Sequence, residues 1–260
     1  MPATDLPFLI EAAEKAGDIA SQYSGPNAKR WDKPDGAGPV TEADLAVDAY
    51  LLETLMAQRP NYGWLSEETE DNTERCQKSC VFIVDPIDGT RSFAEGSRTW
   101  AHSIAVAQDG EVTAAVVYLP QRELMFVAAK GEGARCNGEP ISVSQRNGLT
   151  GASILATKNN LDPMHWRNGD VPAIERAHRP SLAYRLARVA QGHYDAMLTL
   201  RPSWEWDIAA GDLLIREAGG ISTTRSGEAL KFNNLIPQLD GVIAANPTLH
   251  KNLHQQLKPV

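Results

Sequence analysis

The chain has 260 residues, 42% of them hydrophobic, and a formal net charge of -8. That length can bury a substantial core as one large domain or two smaller ones, and so ordinary a composition excludes a disordered or fibrous chain. The acidic balance disfavours nucleic-acid polymers and anionic membranes as partners, although bound metal ions would still let such a protein take an anionic substrate.

The first seventeen residues lack a basic segment followed by a long apolar run, so no signal peptide is expected. No stretch approaches the ~20 apolar residues that a membrane-crossing helix needs. Three cysteines, Cys76, Cys80 and Cys136, make an odd count without framework spacing, which points to a reducing cytoplasm. Cys76 and Cys80 lack a second pair for structural zinc.

Leu6, Leu9, Ile10, Ala13, Ala16, Ile19 and Ala20 recur at helical spacing and predict an amphipathic helix over 6–23. Residues 24–40, rich in Gly, Pro, Asp and Lys, read as a loop. Thr41 with Asp44 three residues on resembles a capping box opening a second helix, whose apolar face would use Leu45, Leu52, Leu55 and Met56. Val81 to Val84 form an apolar run fitting a strand buried on both faces. From 100 to 144 the pattern is an antiparallel meander, with strands over 103–108, 111–118 and 123–129 and a hairpin at Asp109-Gly110. Residues 145–151 are the best domain boundary, dividing the chain into 1–147 and 148–260. Beyond it come a strand at 153–156, a helix at 181–192, a strand at 194–200, a helix at 208–218 stopped by Gly219-Gly220, a short strand at 241–245 and a terminal helix. The sum is an α/β protein with an α+β N-terminal half, its sheets covered by helices.

The chemistry concentrates in three acidic segments, SEE (66–68), DPIDGT (85–90) and WEWDIAAGD (204–212). Alone, SEE reads as a solvated loop. Asp85 and Asp88 follow the apolar strand, at the carboxyl end where open sheets place ligands. Two carboxylates this close resist burial unless a cation lies between them, and a divalent metal is the economical answer. Pro86 stiffens the segment, Gly89 permits an unusual backbone angle, and Thr90, Arg91 and Ser92 would open a helix whose free N–H groups face a phosphate. The plainer reading is a turn with an aspartate cap.

Taken together, VTEAD (40–44), SEE, DPIDGTRSF (85–93) and WDIAAGDLLIREAGG (206–220) resemble the inositol monophosphatase superfamily, in its order and over essentially the whole chain. The resemblance implies a layered αβαβα sandwich and a Mg²⁺-dependent, lithium-sensitive phosphomonoesterase. It also implies one Mg²⁺ on Glu67, Asp85 and the Ile87 carbonyl, a second on Asp85, Asp88 and Asp207, and a weaker third near Glu67. Such oxygen ligands suit magnesium. By the same resemblance Thr90, linked to Asp44, and Glu68 activate the attacking water; capping alone is the plainer role for Asp44. Gly89 and Thr90 N–H groups contact the phosphate, Lys33 lies near it (otherwise a solvated loop lysine), Trp206 positions the ligand, and Ser181 heads the helix beside the substrate. A homodimer acting on a small phosphate ester follows on the same ground.

Substrate choice is less direct. Inositol-specific members commonly carry a glutamate seven residues before the last aspartate ligand, where this chain has Leu200, and a glycine where it has Pro180. The stretch from Ser181 through 200–212 looks closer to 3′(2′),5′-bisphosphate nucleotidases. Trp204, Trp166 or His165 would stack on a purine. Inositol-1-monophosphatase is the alternative; histidinol phosphatase, fructose-1,6-bisphosphatase and a non-catalytic binding member are weaker ones. A hydrolase triad through Ser103 and His102 lacks a nucleophile elbow, and a strand pair is the plainer account.

Overall fold

The large sheet is built around the apolar run: β4 (Cys80–Asp88) alternates Phe82 and Val84 toward one face with Val81 and Ile83 toward the other, and all four are buried. In this computed structural model residues 5–23, 29–33 and 38–259 are described. Seven strands run in chain order, β3 (Gly63–Ser66), β4, β5 (Ala101–Gln108), β6 (Glu111–Leu119), β7 (Leu124–Ala129), β8 (Ala134–Cys136) and β9 (Glu139–Pro140). Only β3 and β4 are parallel; the rest form the expected meander. Asp109 and Gly110 both have positive φ, as a two-residue hairpin turn requires.

A hairpin of β1 (Arg30–Asp32) and β2 (Pro39–Thr41) lies where a loop was expected; Arg30 pairs with Thr41 and Trp31 with Val40. The rest of 24–40, apart from Lys29, Lys33 and Gly38, lies outside the described residues. The second sheet has the order β11 (Glu175–Ala177), β10 (Ser153–Ala156), β12 (Ala196–Trp204), β14 (Gln238–Ala245), β13 (Ile221–Thr223). The strands β12 and β14 run longer than the sequence pattern suggested, because a bulge between Thr199 and Pro202 lets pairing resume at Pro202–Trp204.

Helices complete five layers. Helices α1 (Leu6–Gln22) and α2 (Glu42–Gln58) cover one face of the large sheet, burying Leu9, Val47 and Leu51 against Phe82 and Ile104. Helices α4 (Leu182–Ala190) and α5 (Glu205–Glu217) fill the space between the sheets, where Leu186 and Leu213 share a core with Val117 and Met197. Helix α6 (Pro247–Gln256) covers the outer face of the small sheet, with Leu249, Trp166 and Leu198. This is an αβαβα sandwich. No described helix is long and apolar enough to cross a membrane. The division at 147 falls between β9 of the large sheet and β10 of the small one, and α5 packs on both.

The phase of α2 differs from the expected one. Its buried face carries Ala43, Val47, Leu51 and Leu55, whereas Leu45 is exposed. Two aspartates set that phase. Asp44 turns inward to Thr90, and Asp48 accepts hydrogen bonds from Ser66 at 2.5 Å and Thr69 at 2.6 Å. Buried carboxylates must find donors, so they outweigh the exposure of one leucine.

Candidate metal centre and active site

The register of β4 against β5 shifts between Asp85, which pairs with Ser103, and Asp88, which pairs with Ala101, leaving Pro86 and Ile87 out of the ladder near its carboxyl end. Gly89, at φ 99°, turns the chain into the one-turn helix α3 (Thr90–Ala94). A Cβ at Gly89 would sit 3.4 Å from the Thr99 carbonyl, and the positive φ is itself costly for other residues. His102, wholly buried, holds the segment from behind through Nδ1–H donated to the Pro86 carbonyl at 2.5 Å. Burial drives its ring down to about 4, so it stays neutral.

Asp207 comes from the first turn of α5. Carboxylate oxygens of Asp85, Asp88 and Asp207 all lie within 4.8 Å of one another. Asp85 Oδ1 is buried without a hydrogen-bond partner. Burial first, then Glu67 and Asp88, raises Asp85 well above the usual carboxylate range; burial and Asp88 do the same to Asp207. Convergent anionic oxygens, one of them unpartnered, fit a hard divalent cation.

The other acids of the third segment face elsewhere. Glu205 accepts from the Asn233 and Asn234 backbone N–H groups at 2.6 and 2.9 Å, and Asp212 pairs with Arg216 at 3.0 Å.

Glu67 stands outside the three-aspartate cluster, although its charge acts on all three members. Lys33 Nζ lies 2.8 Å from Glu67 Oε1 and 2.8 Å from Glu68 Oε1. Lys33 is therefore no solvated loop lysine; its ammonium bridges the two glutamates. Burial, opposed by Lys33 and aided by Glu67, lifts Glu68 to about 7. The Ile87 side chain is buried, and its carbonyl accepts from Thr90 Oγ1 at 3.1 Å.

Thr90 Oγ1 also lies 3.1 Å from Asp44 Oδ1. Asp44 Oδ2 accepts from Thr41 N at 2.8 Å and Thr41 Oγ1 at 2.5 Å, and the capping box is complete. Capping and the contact to Thr90 thus coexist, one on each carboxylate oxygen. Burial pushes Asp44 up to about 6 against these donors.

Several contacts carry no signature in the sequence. Asp88 Oδ2 accepts from Ser181 Oγ and Ala183 N, both at 2.6 Å. Ser181 is the N-cap of α4, so its hydroxyl serves helix and site together. Arg185, one turn into α4, is buried and donates toward the 178–180 segment. Nothing in the helical pattern marks it as inward. Gly211 seats α5 on α4 so closely that a Cβ would lie 2.4 Å from Leu186.

Other expectations need correction. Leu200 belongs to the outer core with Ala196 and Leu198, and therefore points away from the site. Trp166 is buried and donates its indole N–H to Asn160, and the His165 carbonyl holds Lys258 N beside α6, so neither is a stacking surface at the aspartates. Trp204 is 40% exposed and stacks on Trp206, with centroids 4.8 Å apart and planes at 8°. Ser103 donates to the Trp206 carbonyl at 2.9 Å and His102 to Pro86, so the two form no triad. Among the described residues, neither Cys76 nor Cys80 joins a metal-type cluster.

Comparison with known proteins gives one family. A family model described as the inositol monophosphatase family matches residues 2–260. The chain is 32% identical over 257 residues to the Nus factor SuhB of Escherichia coli strain K12, covering 95% of this chain and 92% of that protein. It is 35% identical over 239 residues to the inositol-1-monophosphatase of Rhizobium meliloti strain 1021, covering 85% and 86%. Among solved structures, the Thermotoga maritima IMPase superposes with a TM-score of 0.81 at 27% identity, over 96% of this chain and 94% of that one. The extragenic suppressor protein suhB of Bartonella henselae gives 0.78 at 30% identity, over 95% of each.

Proposed function

This chain belongs to the inositol monophosphatase family, and we propose that it is a Mg²⁺-dependent phosphomonoesterase acting on a small phosphorylated metabolite. The observation that carries the reading is the meeting of Asp85, Asp88 and Asp207 within 4.8 Å, with Asp85 Oδ1 buried and unpartnered. Asp85, Asp88, Asp207, Glu67 and the Ile87 carbonyl would hold two magnesium ions, with a third near Glu67. Bound magnesium would supply Lewis-acid activation of water and neutralise charge on the phosphoryl and leaving oxygens.

The chain's own groups do the rest. Thr90 Oγ1 donates its single proton to Asp44 or to the Ile87 carbonyl. That leaves its lone pairs to accept from a water and orient it for in-line attack. Glu68, lifted to about 7, takes up a proton near neutral pH. Lys33 tethers Glu67 and Glu68 and holds positive charge beside the incoming phosphate. The Gly89 and Thr90 N–H groups offer donors to phosphoryl oxygens. Ser181 fixes the orientation of Asp88. Residues 1–147 would supply most acids and the phosphate donors, and 148–260 Asp207 and the substrate specificity.

Within this class we lean to a 3′(2′),5′-bisphosphate nucleotidase, with inositol-1-monophosphatase as the alternative. The stacked, half-exposed Trp204 beside Trp206 favours a planar ring, and Leu200, facing away, offers no carboxylate to sugar hydroxyls. Trp206 would then pack beneath the ligand. Histidinol phosphate and fructose 1,6-bisphosphate are further arms of the same assay. The relative named a Nus factor raises a binding role; a non-catalytic member would have no need of the intact acid set. Lithium inhibition, a cytoplasmic homodimer and the absence of a nucleic-acid or membrane partner complete the proposal. Its test is phosphate release from adenosine 3′,5′-bisphosphate, inositol 1-phosphate, histidinol phosphate and fructose 1,6-bisphosphate with and without Mg²⁺. Metal-dependent release from one of them supports the reading. No release from any, at protein shown to be folded, overturns it.

A further inference from the structure

One buried acid is left unused by the proposed chemistry. Asp48 sits one turn after Asp44 on α2, is 7% exposed, and forms no ion pair with a lysine, arginine or histidine among the described residues. Four residues of helix advance about 6 Å, so the two carboxylates leave the same face of α2 one above the other. Asp44 turns to Thr90, at the exit of β4. Asp48 turns to the exit of β3, where Oδ1 accepts from Ser66 Oγ at 2.5 Å and Oδ2 from Thr69 Oγ1 at 2.6 Å. Glu67 and Glu68 lie between those two hydroxyls in the chain.

That segment has little else to anchor it. Strand β3 is at the edge of its sheet, paired with β4 alone, and its ladder ends with Ser66 opposite Val84. Beyond the ladder the Glu67 N–H still reaches the Val84 carbonyl at 3.2 Å, and no strand lies on the other side. The carboxylate also fixes the polarity of what it holds. An ionised carboxylate only accepts, so both hydroxyls point their single protons at Asp48. Their lone pairs are left for other donors: Ser66 Oγ faces Glu68 N at 3.4 Å, and Thr69 Oγ1 accepts from Trp64 Nε1 at 3.1 Å. Two chains of hydrogen bonds therefore end on Asp48, one from the Glu68 backbone and one from the Trp64 indole, each strengthened by the charge at its end. Burying a carboxylate without a cation is costly, and an amide would fill the same space. What the amide cannot do is accept on both of its polar atoms.

We infer that Asp48 is a positioning residue: by clamping Ser66 and Thr69 it sets where Glu67 and Glu68 stand relative to the Asp44–Thr90 pair one helical turn away. Helix α2 thereby spaces the two acidic segments that leave neighbouring strands, with one aspartate for each. The effect of Asp48 on turnover rests on the phosphatase reading; its effects on the 66–69 segment and on metal affinity do not.

Asp48→Asn, which keeps the volume but accepts on one atom only, tests the clamp. Amide hydrogen exchange read by mass spectrometry in metal-free protein should quicken about tenfold or more over 67–70, while the amides of α2 keep their wild-type rates. Calorimetric titration with Mg²⁺ should show affinity weakened by roughly 10- to 100-fold, the range for residues that support metal ligands. In activity assays the Mg²⁺ concentration for half-maximal rate should rise in step, with part of the lost kcat recovered at high Mg²⁺ and substrate KM there little changed. A residue that only stabilised the fold would lower Tm and leave the Mg²⁺ affinity of the folded protein alone. Ser66→Ala removes one bond of the clamp and should weaken Mg²⁺ binding in the same direction; it carries the test if Asp48→Asn does not fold. If wild type hydrolyses nothing but the variants still loosen 67–70 and weaken Mg²⁺ binding, the phosphatase reading fails and the clamp stands. Wild-type exchange over 67–70, or wild-type Mg²⁺ affinity, in the folded variants would overturn the clamp.

Discussion

Ser181 donates its hydroxyl to Asp88 at 2.6 Å while accepting from Tyr184 N at 3.0 Å. One oxygen thus caps a helix packed between the sheets and fixes a carboxylate at the end of a strand in the large one. The two halves are joined at the atom group where the chemistry is proposed, so metal binding and the packing of α4 are mechanically linked.

Asp88→Asn tests that link. Asparagine keeps an acceptor for Ser181 and Ala183 but removes a charged ligand. Activity should fall by more than about 100-fold, since even supporting residues of metal sites cost roughly 10- to 100-fold. In metal-free buffer the variant should melt higher than wild type, because one of three mutually repelling buried carboxylates is gone. A thermal melt with EDTA and again with Mg²⁺ reads both effects. Wild-type rates at saturating Mg²⁺ would contradict the metal assignment.

The metal-free protein should lose stability as pH rises from about 6.5 to 8. Asp44 and Glu68 are raised to about 6 and about 7, and burial with the neighbouring carboxylates holds Asp85 and Asp207 well above their ordinary value. A raised folded pKa means the native state holds protons that the unfolded chain has released. That stability is complete below the unfolded value and lost as pH passes through the folded one. His102 and His250, both lowered to about 4, act oppositely, but their effect is complete above the unfolded histidine value. Above that value the carboxylates decide the slope. Mg²⁺ should reverse it, since metal binding competes with protons. Melting temperatures on a pH grid with EDTA or Mg²⁺ check the sign, and a metal-free Tm that rises over this interval would refute it.

Thr90→Val and Asp44→Asn separate catalysis from capping. Thr90→Val removes the hydroxyl while nearly preserving shape, and kcat should drop by roughly 100-fold with KM little changed. Asp44→Asn keeps most of the cap to Thr41, so stability should change by no more than about 1 kcal/mol. Its activity should nevertheless fall alongside that of Thr90→Val. A double variant no worse than either single would place both residues in one unit.

Gly211→Ala should destabilise, although alanine favours a helix by about 1 kcal/mol. The added carbon would lie 2.4 Å from Leu186 Cβ, and overpacking of this kind costs about 1 to 3 kcal/mol. Separating α5 from α4 also moves Asp207 away from Asp88, so activity should fall with Tm. Retained activity at unchanged Tm would mean the helices slide apart freely.

Much of the architecture is legible from short-range pattern. The alternation of β4, the Asp109-Gly110 hairpin, the capping box of α2 and the Gly219-Gly220 stop each depend on neighbours a few residues away, and each is present. The acids of the site are legible because carboxylates gathered after an apolar strand have little to hold them there except a cation. Phase is what the pattern misses. Counting along the chain puts Leu45 on the wrong face, because the inward aspartates shift the count.

By itself the amino-acid order determined that this protein would layer helices on sheets and carry a concentrated set of acids, since periodicity and turn chemistry are local properties. Only the tertiary structure decided that Asp207 reaches Asp85 and Asp88, that Lys33 bridges Glu67 and Glu68, and that Ser181 reaches Asp88. Those relations join residues far apart in the chain, and the field at each charged group depends on which other charges and how much water the completed fold leaves around it.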